Sequence, residues 1–207
     1  GFETVRNGMK AHDVAIPEWV DAMQDAGHTS FYRESDGVRE VYVPSEGRYV
    51  ADPAPSDRLT LDPIKANPSN EIWRNDEAAL LDIGDGVALY EFRSKANSLG
   101  QNVMSGLREC IAKVEHDPNL RGIVVGNEGK NFSVGANLGE MAQAVMTGQF
   151  DKVDAYIAAF QDTIQRVRYA TKPVVVATHQ KVLGGGCEMA MASPHPVCAS
   201  ETYMGLV

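Results

Sequence analysis

The second half of the chain alternates between short apolar runs and apolar residues at helical spacing. The apolar runs, which predict buried strands, lie at residues 78–83, 87–92, 122–126, 173–177 and 197–199. A Gly84-Asp85-Gly86 turn between the first two runs predicts a hairpin. Residues 103–114 and 153–167 follow the spacing of amphipathic helices, and Tyr156 and Phe160 are interpreted as core side chains. Periodicity alone therefore predicts an α/β fold with mixed strands.

The first 70 residues have a different pattern. A helix is predicted from Pro17 onward, and the apolar residues on both sides of Gly47 predict a small hairpin. Residues 1–51 carry aromatic side chains that favour burial, whereas residues 52–70 contain four prolines among polar residues and predict an extended linker. The larger region, residues 71–207, follows this linker.

Two glycine-containing segments carry the candidate chemistry. Gly184 to Gly186 follow the apolar run at 173–177, and residues 131–141, with Gly135 among them, follow the run before it. Glycine permits sharp turns and close contacts, and the first N–H groups of a helix lack intrahelical partners. Two such turns could direct two N–H groups at one oxygen that becomes negative, which is the minimal oxyanion hole. Taken alone, the triple glycine fits an ordinary turn with a surface glutamate, Glu188, equally well.

Together, residues 131–141 and 181–192 resemble the two signature segments of the enoyl-CoA hydratase/isomerase (crotonase) superfamily. The resemblance extends over residues 71–207 in the order and spacing of strands, helices and loops. It implies the α/β fold of that family, a crotonase-like spiral of ββα units. Here the spiral would be incomplete at the C-terminus and preceded by a small helical and hairpin segment and the proline-rich linker.

The resemblance also implies roles for individual residues. The backbone N–H groups of Ala136 and Gly185 would bind the thioester oxygen of an acyl-CoA substrate, and Glu188 would be a catalytic carboxylate. The residues placed around the substrate are Ala136, Asn137, Leu138, Gly139, Gly184, Gly185, Lys95 and Ala96. For Glu188 the alternative is a carboxylate favoured by a helix N-terminus, and for Lys95 it is a solvated side chain.

A hydratase of this family uses a second glutamate beside the water molecule. The matching position immediately follows Val207, and Glu201 lies too early to match it. We therefore expect little hydratase turnover from residues 1–207 alone. The second acid/base position also distinguishes hydration from isomerisation, so residues 1–207 leave both reactions open.

Residues 14–33 resemble the end of the C-terminal helical domain of 3-hydroxyacyl-CoA dehydrogenases, which precedes a crotonase domain in one class of these proteins. The resemblance implies that residues 1–51 are the tail of that helical domain, and that the protein is a dehydrogenase/hydratase fusion of fatty-acid β-oxidation. An ordinary N-terminal extension is the alternative. The sequence has no G-x-G-x-x-G fingerprint, so we expect no cofactor here and NAD only in an upstream dehydrogenase part.

Composition narrows the classes of partner. A net charge of −9 with dispersed Lys and Arg argues against nucleic-acid binding, and no apolar run is long enough to span a membrane. The three cysteines and five histidines show no metal-ligand spacing, and the odd number of cysteines fits a reduced, cytoplasmic setting. The family resemblance adds an expectation of homo-oligomers, either trimers or hexamers.

Three functions fit the sequence. The first is hydration of trans-2-enoyl-CoA to 3-hydroxyacyl-CoA. The second is another crotonase-type reaction such as isomerisation of the enoyl double bond, which needs the same oxyanion hole but different acid/base placement. The third is a non-catalytic assembly domain, against which Glu188 and the small residues at 136 and 185 argue.

Overall fold

The structure is a computed structural model with two compact units, Gly1–Thr60 and Leu61–Val207. The residues that it describes are 2–35, 38–52 and 59–206. Pro53 and Pro55 of the predicted linker, and Val207, lie outside the described residues. Each unit has its own cluster of buried hydrophobic side chains.

The first unit combines two helices with a three-stranded antiparallel sheet. Its elements are α1 (Phe2–Ala11), α2 (Glu18–Asp25), β1 (Tyr32–Ser35), β2 (Val38–Val43) and β3 (Arg48–Ala51). The predicted helix after Pro17 and the predicted β2–β3 hairpin are both confirmed, and β1 adds a further strand to the hairpin. Met23, Tyr42 and Tyr49 form a small buried cluster, against which Trp19 packs.

The second unit is a mixed α/β structure. Its helices are α3 (Leu61–Ala66), α4 (Gln101–His116), α5 (Leu138–Met146), α6 (Phe150–Arg168) and α7 (Gly185–Ala192). Its strands are β4 (Glu71–Arg74), β5 (Ala78–Asp82), β6 (Val87–Phe92), β7 (Gly122–Gly126), β8 (Val174–Thr178), β9 (Lys181–Leu183), β10 (His195–Cys198) and β11 (Tyr203–Gly205). Short 3₁₀ turns occur at Pro68–Asn70 and Lys95–Asn97.

Six strands form the main sheet in the order β10-β8-β7-β6-β5-β4. Its β4, β5 and β6 are antiparallel neighbours, whereas β6, β7, β8 and β10 run parallel. A second β layer consists of the parallel β9–β11 pair and two isolated bridges, Ser133–Val182 and Leu99–Ala136. The successive groups β5-β6-α4 and β8-β9-α7 show the predicted strand-strand-helix repetition.

Helix α4 supplies much of the core of the second unit. Its buried side chains include the five predicted from helical spacing, namely Val103, Met104, Leu107, Ile111 and Val114. On α6, Phe160 is buried as predicted, but Tyr156 is only half-buried, so its assignment to the core was wrong. The Tyr156 side chain is incompletely buried because it borders an open cleft, and its hydroxyl donates a hydrogen bond to the Leu99 carbonyl (2.9 Å).

The carboxyl half of the predicted linker is helical rather than extended. Leu61, the first residue of α3, is buried, and its N–H donates to the Glu128 carboxylate at 3.1 Å. Lys65 on the same helix pairs with the buried carboxylate of Glu91. Glu91 and Glu128 lie far along the chain, so the local proline pattern could not reveal the contacts that stabilise this helix.

Gly106 allows α4 to pack closely against the sheet, and Gly106→Ala is expected to destabilise the second unit. An added Cβ would lie 2.6 Å from the Trp73 ring and 2.8 Å from the Tyr90 hydroxyl. Alanine normally stabilises a helix relative to glycine, but overpacking here should cost about 1–3 kcal/mol in the free energy of unfolding. Urea unfolding followed by Trp73 fluorescence, in a Trp19→Phe background, measures the effect.

The matched control is Ser105→Ala, which changes the neighbouring exposed position of the same helix. It should leave the free energy of unfolding within about 0.5 kcal/mol of the parent. Equal stability of the Gly106 and Ser105 variants would contradict the packing described for α4.

Candidate functional site

A cleft of about 890 Å³ opens in the second unit. Its walls are the loop after β7, the start of α5, one face of α6, the start of α7 and Leu206. Apolar side chains such as Met141, Ile157 and Phe160 line much of it, together with two carboxylates, Asp162 and Glu188. An apolar cleft with few polar groups is the usual form of a small-molecule site.

Two structural reasons favour glycine at the three consecutive positions 184–186. Gly184 has a φ of +51°, which permits the sharp turn from β9 into α7. Gly185 packs on Phe160, whose ring would lie 2.5 Å from an added Cβ. Gly186 packs on Ser133, whose Cβ would lie 2.8 Å from an added Cβ. Glycine is therefore favoured by backbone conformation at the first position and by close packing at the other two.

The two glycine-containing loops are in contact. Gly135 has a φ of +100°, and a Cβ on it would lie 3.0 Å from the Leu183 carbonyl oxygen and 3.4 Å from the Gly185 nitrogen. Ser133 pairs with β9 next to this point, since its N–H donates to Lys181 and its carbonyl accepts from Leu183. The structure thus brings together the two segments that the sequence analysis singled out.

The backbone N–H groups of Ala136 and Gly185 have no hydrogen-bond acceptor among residues 2–35, 38–52 and 59–206. The Leu99 N–H donates to Gly135 and the Asn137 N–H donates to Leu99, which places the intervening Ala136 N–H on the side away from Leu99. Gly185 is the first residue of α7, where an N–H has no partner within the helix. Among the residues that the structure describes, neither group donates a hydrogen bond.

Other hydrogen bonds fix the loop that carries Ala136. The Asn137 side chain accepts from the Gly139 N–H (3.1 Å), capping α5, and donates to Glu140 (2.9 Å). Glu140 in turn accepts from the Gln101 N–H at the start of α4 (3.1 Å). The side chain of Asn137 therefore holds the loop, whereas the exposed Leu138 is the neighbour that lines the cleft.

Lys95 and Ala96 lie on an exposed turn and do not line the cleft. Ala96 and Asn97 both have positive φ values, 55° and 53°. The side chain of Asn97 donates to the Asn127 side chain and to the Asn131 carbonyl, both at 2.9 Å. The backbone carbonyl of Asn97 accepts from the Ser133 hydroxyl. The turn is thus tied to the Ala136 loop, although the predicted contact of Lys95 and Ala96 with a ligand stays a prediction.

Glu188 lies in the first turn of α7 with an exposed side chain that lines the cleft. The neighbouring Cys187 is buried, and burial together with the negative charge of Glu188 raises the pKa of its thiol. Glu188 and Gly185 thus line the same cleft, and the catalytic role of Glu188 stays a prediction.

The sequence analysis missed several residues of this site. Asp162 on α6 lines the cleft, Tyr156 anchors α6 to Leu99, and Ser133 joins the Ala136 loop to its surroundings. A Ser-x-Gly pattern is typical of a serine that bonds the N–H two residues on, which could have indicated the Ser133–Gly135 bond. No local pattern could indicate the contacts of Tyr156 and Asp162, because α6 meets its partners only in the folded chain.

Two negative findings apply to the described ranges, residues 2–35, 38–52 and 59–206. No group of three His, Cys, Asp or Glu side chains in them could hold a metal ion. No helix in them combines the length and the apolar character needed to cross a bilayer.

These features define a protein of the enoyl-CoA hydratase/isomerase family. The sequence profile of that family matches residues 82–206, well over half of the chain, and the chain belongs to it. The solved structure of an enoyl-CoA hydratase from Bacillus anthracis has the same fold, with a TM-score of 0.58 and 22% identity. The similarity covers 63% of this chain and 50% of that one.

Two Bacillus subtilis (strain 168) proteins are similar in sequence. One, named "Probable 3-hydroxyacyl-CoA dehydrogenase", is 38% identical over 192 residues, which are 93% of this chain and 24% of that protein. The other, named "Probable enoyl-CoA hydratase", is 32% identical over 111 residues, 54% of this chain and 42% of that protein. The chain thus spans less than half the length of both relatives.

The three thiols should differ sharply in reactivity. The thiolate is the reactive form, and burial raises the pKa of Cys110 to about 12 and also raises that of Cys187, whereas Cys198 is exposed. Titration with DTNB in mildly alkaline buffer should therefore reveal a single fast thiol in the native chain and three after denaturation.

The Cys198→Ser variant serves as the control and should lose the fast phase. A fast thiol that persists in this variant would contradict the buried position of Cys187 beside Glu188.

Proposed function

We propose that the cleft catalyses the hydration of trans-2-enoyl-CoA to 3-hydroxyacyl-CoA, a step of fatty-acid β-oxidation. The observation that carries this proposal is that Ala136 and Gly185, whose N–H groups donate no hydrogen bond among the described residues, line the same cleft as Glu188. Membership of the enoyl-CoA hydratase/isomerase family supports an acyl-CoA thioester as the substrate.

The two N–H groups would form the oxyanion hole. Addition of water to the β-carbon shifts an electron pair through the α-carbon to the thioester oxygen, giving an enolate. Hydrogen bonds from Ala136 and Gly185 strengthen as this charge develops, so they stabilise the enolate more than the substrate. Loss of one such donor costs about 3 kcal/mol of transition-state stabilisation in comparable sites.

Glu188 would act as the general base for water. It accepts one proton as the hydroxyl oxygen bonds to the β-carbon, and the enolate then takes a proton at the α-carbon from a second acid. The family resemblance assigns that second acid to the position after Val207. The overall reaction adds H and OH across the double bond without oxidation or reduction, so the hydration step needs no redox cofactor.

We also propose that this chemistry serves a dehydrogenase/hydratase fusion. The relative named as a 3-hydroxyacyl-CoA dehydrogenase aligns with 93% of this chain, so the match includes part of the first unit as well as the second. The 3-hydroxyacyl-CoA product of hydration is the substrate class of such a dehydrogenase. NAD enters the proposal only through that part of a larger protein.

Self-association and a cytoplasmic setting complete the proposal. Helix α5 exposes apolar side chains outside the cleft, with Val145 and Met146 being 47% and 86% exposed, which fits self-association, and the family resemblance implies a trimer or hexamer. The free thiols of Cys110, Cys187 and Cys198 fit a reducing compartment. Sedimentation velocity tests the first point, and a purely monomeric protein would contradict it.

Isomerisation of the enoyl double bond is the alternative reaction. It uses the same two N–H donors, and the family profile covers both reactions. Supplying a trans-3-enoyl-CoA and following the absorbance of the conjugated thioester separates the two, because only an isomerase produces the conjugated compound directly.

Glu188→Gln tests the catalytic role of the carboxylate. Replacing the base with a neutral amide should lower the hydration rate by about 100-fold or more while leaving acyl-CoA binding intact. The rate is measured from the loss of enoyl thioester absorbance, both in the 207-residue chain and in a protein continued to the full length of the family domain.

The matched control is Glu201→Gln, which makes the same chemical change on an exposed turn. It should retain the parent rate. An unchanged measurable rate in the Glu188 variant would contradict the role of Glu188 as base, and no turnover in the longer parent would favour the non-catalytic assembly domain. Comparable rates from the two chain lengths would refute the need for the second carboxylate.

The N–H donors can be tested separately from turnover. Two hydrogen bonds to the thioester oxygen weaken its C=O bond, so the infrared carbonyl stretch of bound, isotope-labelled trans-2-enoyl-CoA should move to lower frequency than in water. An unshifted carbonyl in the bound state would overturn the proposed oxyanion hole.

A further inference from the structure

The Ser133 side chain joins three parts of the second unit, although it lies outside the cleft lining. It is fully buried, and its hydroxyl donates to the Asn97 carbonyl at 2.8 Å while accepting from the Gly135 N–H at 3.1 Å. Its backbone pairs with β9 on both sides, through Lys181 and Leu183. One residue therefore touches the 94–98 turn, the Ala136 loop and the strand that leads to Gly185.

The start of α7 is also packed on Ser133. An added Cβ on Gly186 would lie 2.8 Å from the Ser133 Cβ, so this helix approaches the serine as closely as a glycine permits. Ser133 thus contacts the elements that carry both unpaired N–H groups. The bond from Gly135 to its hydroxyl fixes the peptide immediately before the Ala136 N–H.

We propose that Ser133 is a positioning residue whose hydroxyl holds the Ala136 N–H in register with the Gly185 N–H. This inference rests on the proposed function for its catalytic consequence. The Asn97 carbonyl orients the hydroxyl, and the buried side chain of Asn97 is itself held by Asn127 and Asn131. The hydroxyl therefore cannot rotate away from Gly135 without losing its own acceptor. A donor that is fixed before the reaction stabilises developing charge without a reorganisation cost.

The chain contains a matched control. Ser193 is also buried, and its hydroxyl donates to the Val174 carbonyl (2.8 Å) and accepts from the N–H two residues on, that of His195 (3.2 Å). It makes the same pair of bonds at the opposite end of α7, away from the cleft. Ser133→Ala and Ser193→Ala thus each delete one donated and one accepted hydrogen bond. The bonds lost in Ser133→Ala lie at the Ala136 loop, and those lost in Ser193→Ala lie away from it.

In the ligand-free protein, the test is amide hydrogen exchange of Gly135 read by NMR. Ser133→Ala should accelerate this exchange about tenfold or more, because a hydrogen bond of ordinary strength is lost. Ser193→Ala should leave it unchanged. Ser133→Cys, whose larger thiol keeps a weak acceptor for the Gly135 N–H, should fall between the parent and the alanine variant.

In a protein continued to the full length of the family domain, Ser133→Ala should lower kcat for trans-2-enoyl-CoA by about 10- to 100-fold with little change in KM, since displacement of one donor affects the transition state most. The infrared shift of the bound thioester carbonyl should shrink in the same variant. Ser193→Ala should keep both the parent kcat and the parent carbonyl shift. A serine with a merely structural role would lower stability in both variants and leave the carbonyl shift of the folded protein unchanged.

The outcomes separate the two proposals. If the parent shifts the carbonyl and Ser133→Ala shifts it equally, the positioning role is wrong. If the parent itself shows no carbonyl shift, the proposed function fails. The amide exchange of Gly135 then decides whether Ser133 positions the loop. In that case faster exchange confined to the Ser133 variants supports the positioning role, and unchanged exchange overturns it.

Discussion

The close approach of two glycine backbones is the constraint on which the site depends. Gly135 lies against the Leu183 carbonyl and the Gly185 nitrogen at distances that would crowd an added Cβ. Both Gly135 and Gly184 adopt positive φ, which other residues reach only with strain. Ala136 and Gly185, whose N–H groups have no acceptor within the described part of the chain, both line the cleft beside this contact, and a bulky residue at either loop would separate them.

An N–H group without a protein partner costs free energy of folding. Hydrogen bonds of the neighbouring polar groups stabilise the loops around the two N–H groups and offset this cost. The Asn137 side chain caps α5, Glu140 accepts from the first turn of α4, and Tyr156 donates to the Leu99 carbonyl. A fully buried donor without a partner costs about 1–3 kcal/mol, but Ala136 and Gly185 line an open cleft and not a closed core. Their position at an open cleft lets solvent or a ligand supply the missing acceptor.

The sequence predicted the repeating elements well, because each depends on local pattern. The strands at 78–82, 87–92 and 122–126 and the buried face of α4 follow directly from apolar spacing. Contacts between distant segments escaped prediction. Helix α3 depends on Glu128 and Glu91, and Tyr156 depends on Leu99, so neither could be read from neighbouring residues. The role of Asn137 as a helix cap was likewise visible only once α5 had a defined start.

Topology explains why the convergence of the two loops could be predicted while the position of Ser133 could not. Strands β7 and β8 are parallel neighbours, so the segments that follow them must leave the sheet at the same edge. Any sequence with this strand order brings the Ala136 and Gly185 segments near each other. The final placement of the N–H groups then depends on individual contacts, among them the Ser133 hydroxyl and the packing of Gly186 on Ser133. A family resemblance therefore predicts that the two loops meet, whereas the contacts of Ser133 are seen only in the structure.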